Sequence, residues 1–190
     1  MLAVAGLTSC AVSLQARAHL ATSGRCAIPL DTPMEAASGV RVPLRDLLGD
    51  VTVVGLWGTF CAPCMDELPL LNALYQERDD GRRVRILTIS LDSWDTAGPV
   101  AKRLGLTVPV YRDPGFAFAR AIAPRDPGAS SAPDEVARPP LPLLAYLNRE
   151  GEAIVVFGHD PTMTTRAFLE KQARLLDRAF AGRLWQEPSR

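Results

Sequence analysis

Residues 51–71 read VTVVGLWGTFCAPCMDELPLL, and the order of residue types along them decides how the rest of the chain is read. Val51–Trp57 is a continuous β-branched and apolar run bounded by Gly49-Asp50 and Gly58, the pattern of a strand buried on both faces. From Pro63 to about Arg78, Leu68, Leu71, Leu74 and Tyr75 recur at helical spacing, and Pro63 falls in the first turn, where proline is tolerated. Pro69 inside that pattern predicts a kink, because it removes a backbone donor and crowds the preceding turn. Val84–Ser90 (VRILTIS) is a second buried strand, so residues 51–90 form a right-handed βαβ unit with two parallel strands.

Working outward, Ile28-Pro29-Leu30 and Val42-Pro43-Leu44 flank a turn-rich stretch and predict an edge hairpin. Asp95–Leu104 reads as a helix stopped by Gly105, Thr107–Tyr111 as a short strand, and Phe116–Ala123 as one or two helical turns. Pro124–Pro140 is a loop without apolar periodicity; Pro124, Pro127, Pro133, Pro139 and Pro140 are five of the sixteen prolines. Leu143–Leu147 and Glu152–Phe157 flank Asn148-Arg149-Glu150-Gly151 as an antiparallel hairpin. An amphipathic helix over Thr162–Phe180 starts near Asp160-Pro161 and stops at Gly182.

The chain has 190 residues, 47% of them hydrophobic and 22% charged, enough apolar material for one buried core and too much for disorder. Lys plus Arg and Asp plus Glu both number 21, so the basic excess that nucleic-acid binding draws on is missing. Residues 1–25 read as a leader, signal remnant or tether, residues 26–182 as the folded domain and residues 183–190 as a tail. Met1–Ala11 is uncharged and apolar but far shorter than the roughly 20 residues that span a bilayer. Leu7-Thr8-Ser9-Cys10 is similar to a bacterial lipobox, whose cysteine becomes the lipidated first residue; an ordinary apolar tail containing a cysteine is the other reading. Cys10 and Cys26 have no partner-like spacing and read as a leader thiol and a strand-adjacent thiol.

The chemistry sits at Trp57-Gly58-Thr59-Phe60-Cys61-Ala62-Pro63-Cys64, where the buried strand ends and the helix begins. A cysteine at a helix N-terminus feels the positive end of the macrodipole and unpaired backbone N–H groups, which favour its thiolate. Cys61 is therefore the nucleophile. Cys64, one turn further in on the same side, is near enough to close a disulfide and acts as the resolving thiol. A structural zinc site needs four ligands, and neither a second C-x-x-C nor a paired His follows; His19 and His159 are the only histidines.

VVGLWGTFCAPCMDELPLL resembles the active-site segment of the TlpA/ResA/CcmG group of thioredoxin-like thiol-disulfide oxidoreductases. The similarity extends through CAIPLDT, GVRVPLRDLLGDVTVV, TISLDSWDTAGPVAKRLGLTVPVYRDP and LPLLAYLNREGEAIVVFGH, from about Cys26 to Phe180. It implies an α/β thioredoxin fold: a central mixed β-sheet flanked by helices, with an N-terminal hairpin and a central βα insertion. It also implies a cis-proline before the strand at 143–147. Counting back from the turn puts it at Pro142, with Pro140 as the competing position and Leu141 as the residue whose backbone meets an extended substrate. The Pro124–Pro140 loop then lies beside the active surface and is expected to shape client choice. The implied activity is an exported, periplasmic or otherwise extracytoplasmic protein-disulfide reductase, membrane-associated through the N-terminal signal or a lipidated Cys10. Its implied task is cytochrome c maturation or a similar assembly. Its partners would be client disulfides, apocytochrome c or an assembly factor, and a membrane thiol donor; no cofactor is implied.

The chain departs from that pattern at Gly55, where many thioredoxins carry a buried Asp. Glu67, three residues after Cys64 in C-x-x-C-x-x-E-x-P, is the candidate replacement for proton exchange with Cys64; a solvated helix glutamate is the alternative. Leu141, Leu143 and Leu144 predict an apolar substrate groove. Phe60 is expected to cover the nucleophile, and Trp57 to pack beneath the cysteine loop with a secondary role in shielding the disulfide. A copper-handling assembly factor using Cys61, Cys64 and His159 is the alternative function, weakened because copper chaperones of related fold use a wider C-x-x-x-C spacing.

Overall fold

The computed structural model describes residues 11–12, 23–122, 141–157 and 160–182. The leader with its lipobox-like Cys10, His19, the Pro124–Pro140 loop with Pro140, His159 and the tail lie outside these described residues.

The sheet is organised around β5 (Val51–Trp57), every residue of which is buried. It pairs in parallel with β6 (Val84–Ser90), from Val51 opposite Val84 to Trp57 opposite Ser90. On its other side it runs antiparallel to β8 (Leu143–Leu147), from Thr52 opposite Leu147 to Leu56 opposite Leu143. The parallel pair requires a crossover, supplied by α1 (Ala62–Arg78). With β1 (Ala11–Val12), β2 (Ser23–Ala27), β3 (Pro33–Ala36), β4 (Arg41–Pro43), β7 (Val110–Arg112) and β9 (Glu152–Phe157), the described strands form one mixed sheet ordered β1-β2-β9-β8-β5-β6-β7-β3-β4.

Strand period two divides the core between the two faces. Val51, Val53, Ile86, Leu144 and Tyr146 pack with Leu71 and Leu74 of α1 and Phe168 and Leu176 of α4 (Thr165–Phe180). Val54, Leu56, Leu87, Ile89, Leu143, Ala145 and Leu147 pack on the opposite side with Phe118, Ala119 and Ile122 of α3 (Ala117–Ile122) and with Leu44 and Leu47 of a 3-10 turn. Because both faces are covered, the central strands are mostly apolar on both sides instead of alternating. α2 (Trp94–Arg103) brings Ala97 and Val100 against Trp57, Cys64 and Leu68. The mixed sheet flanked by helices is the arrangement the sequence resemblance implies.

Several boundaries differ from the sequence expectation, each for a local reason. The N-terminal hairpin arms are β3 and β4; Ile28-Pro29-Leu30 lies before them, and Pro29 O accepts the Thr32 N–H at 3.0 Å in a turn. The strand expected at Thr107–Tyr111 starts only at Val110, because the Asn72 side chain accepts the Thr107 and Val108 N–H groups at 2.7 and 2.9 Å. α4 starts at Thr165, capped by Thr164, because the Asp160 carboxylate accepts the Thr162 N–H at 2.9 Å and holds that stretch in a turn. α1 passes through Pro69 as one helix. Cys26, expected as a strand-adjacent thiol without a partner, is disulfide-bonded. Disulfide partners are chosen by spatial approach, which sequence spacing does not report.

The turn between β8 and β9 fixes how the N-terminal segment docks. Gly151 adopts φ +80°, and a Cβ there would stand 2.6 Å from Ile28 O, whose own N–H donates to Gly151 O at 2.8 Å. Gly151→Ala therefore combines left-handed strain with a backbone clash. It should lower unfolding free energy by about 2 kcal/mol in urea titration; a change within about 0.3 kcal/mol would show that this junction is not rigid.

Candidate functional site

β5 ends at Trp57, and the loop 58–60 turns the chain into α1 with Cys61 as its N-cap residue. Four ties hold that loop. Cys61 N–H donates to Gly58 O at 3.0 Å, Leu91 N–H to Trp57 O at 3.0 Å, and Thr59 N–H to the Asp92 carboxylate at 2.6 Å. Arg112 Nε then donates to Asp92 O at 2.7 Å, while its other guanidinium end pairs with Glu35 at 2.8 Å. The N-terminal hairpin is thereby linked to the backbone that carries the cysteines.

Cys61 and Cys64 form a disulfide with S–S 2.06 Å and Cα–Cα 5.3 Å. The Cys64 N–H points at Cys61 Sγ from 3.2 Å. A backbone donor and the helix N-terminus thus both face the sulfur that carries negative charge once the bond is reduced. Both cysteines are buried, Cys64 more completely at 1% exposure against 7% for Cys61, so an attacking group reaches Cys61 more readily. Ala62 and Pro63 contribute no charge between them.

Trp57 is buried with Cys61, Cys64 and Leu68, and its indole N–H has no acceptor among the described residues; the ring acts by packing. Phe60 is exposed, and its ring lies over Gly58, where an added Cβ would come within 2.4 Å of it. The peptide bond between Leu141 and Pro142 is cis. Pro142 lines a small cavity with Cys64, Glu67, Gly55 and Trp57, and half-buried Leu141 packs against the cluster around the cysteines. The structure brings Trp57, Cys61, Cys64, Glu67, Leu141 and Pro142 together at the end of β5, with Phe60 on the rim.

Glu67 is not a solvated helix residue: it is 5% exposed, on the same face of α1 as Cys64, Leu68 and Leu71. Burial drives its carboxyl pKa from 4.5 up to about 7, against the opposing pull of the Lys171 ammonium. At Gly55 a Cβ would lie 2.4 Å from the end of the Leu71 side chain, so an acid on the strand would require Leu71 to shift. The acidic group at this pole of the core comes from the helix instead of the strand.

Sequence reasoning missed five residues that shape the site. Asp92 and Arg112 anchor the loop; an aspartate two residues after a buried strand end carries no distinctive local signal. Tyr146 donates its hydroxyl proton to Gln172, and both are buried beside Glu67 in a cavity also lined by Lys171. Gln172 was legible in principle: it stands four residues after Phe168 and four before Leu176, a polar residue on the apolar stripe of α4.

Residues 24–138 match the sequence profile of the AhpC/TSA family. The chain is 28% identical over 124 residues to the thiol-disulfide oxidoreductase ResA of Halalkalibacterium halodurans, covering 65% of this chain and 62% of that one. It therefore spans about three fifths of that relative's length. Among solved structures, a secreted Mycobacterium tuberculosis disulfide oxidoreductase homologous to E. coli DsbE superposes with TM-score 0.57 at 16% identity, covering 76% of this chain and 96% of that one. Xanthomonas campestris peroxiredoxin Q superposes with TM-score 0.58 at 20% identity, covering 79% and 92%. These structural likenesses establish the thioredoxin-like α/β fold.

The raised Glu67 pKa has a definite sign in stability. A carboxyl whose folded value exceeds its unfolded value contributes stability that is complete below the unfolded value, 4.5, and lost as pH rises through the folded value, about 7. Glu67→Gln removes that dependence. From pH 5 to pH 8 the variant should gain roughly 2 kcal/mol relative to the parent in denaturant titrations; parallel stability curves for the two proteins would place the carboxyl in water.

Proposed function

The chain belongs to the AhpC/TSA family, and on that footing we propose that it is a thiol-disulfide oxidoreductase working as an exported reductase of protein disulfides. The observation that carries this reading is the Cys61–Cys64 disulfide at the N-terminus of α1, with Cys64 N–H aimed at Cys61 Sγ and cis-Pro142 sharing a cavity with Cys64. The name of the ResA relative and the description of the mycobacterial structure as a secreted disulfide oxidoreductase support it. A peroxidase of related fold is a second reading, and the sequence disfavours it, since Val54 and Gly58 stand where the pattern P-x-x-x-T-x-x-C requires Pro and Thr before Cys61.

In the reduced protein the Cys61 thiolate attacks one sulfur of a client disulfide; a mixed disulfide forms and the client's other sulfur leaves as a thiolate. Cys64 then gives its proton to the Glu67 carboxylate and attacks Cys61 Sγ. The bond between Cys61 and the client breaks, the client leaves with its second thiolate, and the Cys61–Cys64 bond forms. Two electrons pass from the cysteine pair to the client. The client lies extended against Leu141 and Pro142, with Phe60 giving apolar contact on the rim. A membrane thiol donor would restore the dithiol, and cytochrome c maturation or a similar extracytoplasmic assembly task is the setting this chemistry fits.

Cys61→Ser should abolish reduction of a protein disulfide such as insulin, and Cys64→Ser should accumulate mixed disulfides on non-reducing gels; equal accumulation with both variants would overturn the division of roles. The uncharged Ala62-Pro63 pair leaves the helix terminus as the main support for the thiolate, so the reduction potential should be more negative than about −200 mV. Equilibration with glutathione buffers measures it, and a value near about −120 mV would make the protein an oxidant.

A further inference from the structure

Glu67 lines two cavities. One lies on the disulfide side, with Cys64, Gly55, Trp57 and Pro142. The other lies between α1, β8 and α4, with Tyr146, Asp160, Lys171 and Gln172 among its walls. From Pro142, just before β8, the chain runs through Leu144 to Tyr146, whose side chains pack toward α1 and α4, so the second cavity is further along the strand and away from the client rim. Its walls pass from buried Tyr146 and Gln172, joined by the tyrosine hydroxyl, to half-exposed Lys171 and exposed Asp160. A carboxyl with only 5% exposure therefore stands between a resolving thiol and a polar recess that opens to solvent.

That geometry meets a requirement of the mechanism. While a client occupies Leu141 and Pro142, the mouth of the site is covered, and Cys64 must lose a proton before it attacks Cys61. We propose that Glu67 passes this proton through the cavity between α1, β8 and α4 to solvent at Asp160 and Lys171, with Lys171 as the positioning residue that sets the charge of Glu67. The inference rests on Glu67 accepting the Cys64 proton, as proposed above. In the step, the Cys64 S–H bond breaks and a Glu67 O–H bond forms. The proton then moves to water in the recess, and Glu67 returns to the carboxylate while Cys64 completes the disulfide. Four titratable groups face Glu67: Cys64 on its own helix, Tyr146 from β8, Lys171 from α4, and Asp160 from the segment before α4. The nearby ammonium favours the carboxylate, and burial alone disfavours it.

Two measurements on the full-length protein test this independently. Carboxyl-carbon NMR of the oxidised protein reads the Glu67 titration directly. Lys171→Met, which keeps the aliphatic stem, should raise its midpoint by about half a pH unit or more, and Lys171→Arg should restore it. An unmoved midpoint in Lys171→Met would overturn the inference. Stopped-flow resolution of a preformed mixed disulfide, followed from pH 5 to 9, should show the same displacement in Lys171→Met, whereas a purely structural role would scale the rate at every pH alike and leave the midpoint in place. Glu67→Gln is the control for the premise: it should slow resolution at least tenfold at neutral pH. An unchanged rate in Glu67→Gln would remove the role of Glu67 itself. A slowed Glu67→Gln with an unaltered Lys171→Met profile would remove only the outlet.

Discussion

The Cys64 N–H, 3.2 Å from Cys61 Sγ, can face that sulfur only because α1 begins at residue 62, directly after the N-cap cysteine. That starting point is imposed from below by β5, which is buried throughout and ends at Trp57. A strand clamped between β6 and β8 cannot slip by one residue without turning its core side chains to the wrong face. The register of the sheet thus fixes where the loop begins, and the loop fixes which atoms meet at the helix terminus. Asp92 and Arg112 complete the arrangement by holding the Thr59 amide in place. The chemistry needs little beyond this: a sulfur with backbone donors aimed at it, and a second sulfur one turn away.

Around this centre the buried core is mostly apolar, and that gives each buried polar group weight. Burial raises the Glu67 pKa to about 7, so the carboxyl exchanges protons near neutrality. A strand acid at position 55 would occupy the space filled by Leu71. Moving the acid onto α1 keeps it on the same face as Cys64 and brings it to α4, where the helix can supply Lys171 and Gln172. Asp113, also buried, serves a different end: its carboxylate accepts the Ala117 and Ala119 N–H groups at 2.9 Å each and starts α3, although burial holds its pKa above the ordinary range.

The fold was legible wherever a local pattern was also the tertiary pattern. Val51–Trp57, Val84–Ser90 and Leu143–Leu147 are strands with the bounds that their apolar runs mark. The cysteine pair reads as redox chemistry from its place between a strand and a helix. Reading failed where a side chain overrode the local pattern, as Asn72 does at Thr107 and Val108 and Asp160 does ahead of α4. It failed also at Cys26, whose oxidation depends on a partner brought close by folding.

The sequence by itself determined the βαβ core, the helix-terminal position of Cys61 and the identity of Cys64 as its partner, because strand and helix periodicities and a three-residue spacing are short-range properties of the chain. Tertiary structure alone decided the environment of Glu67, the anchoring of Thr59 by Asp92, and the meeting of Tyr146, Gln172 and Lys171 beside a carboxyl from another helix. The Glu67 surroundings depend on the packing of α1, β8 and α4 against one another, and the Thr59 anchor on the pairing of β5 with β6. Burial and electrostatic proximity arise between segments far apart along the chain, 33 residues for Thr59 and Asp92 and 26 for Tyr146 and Gln172, and no local pattern of residues encodes them.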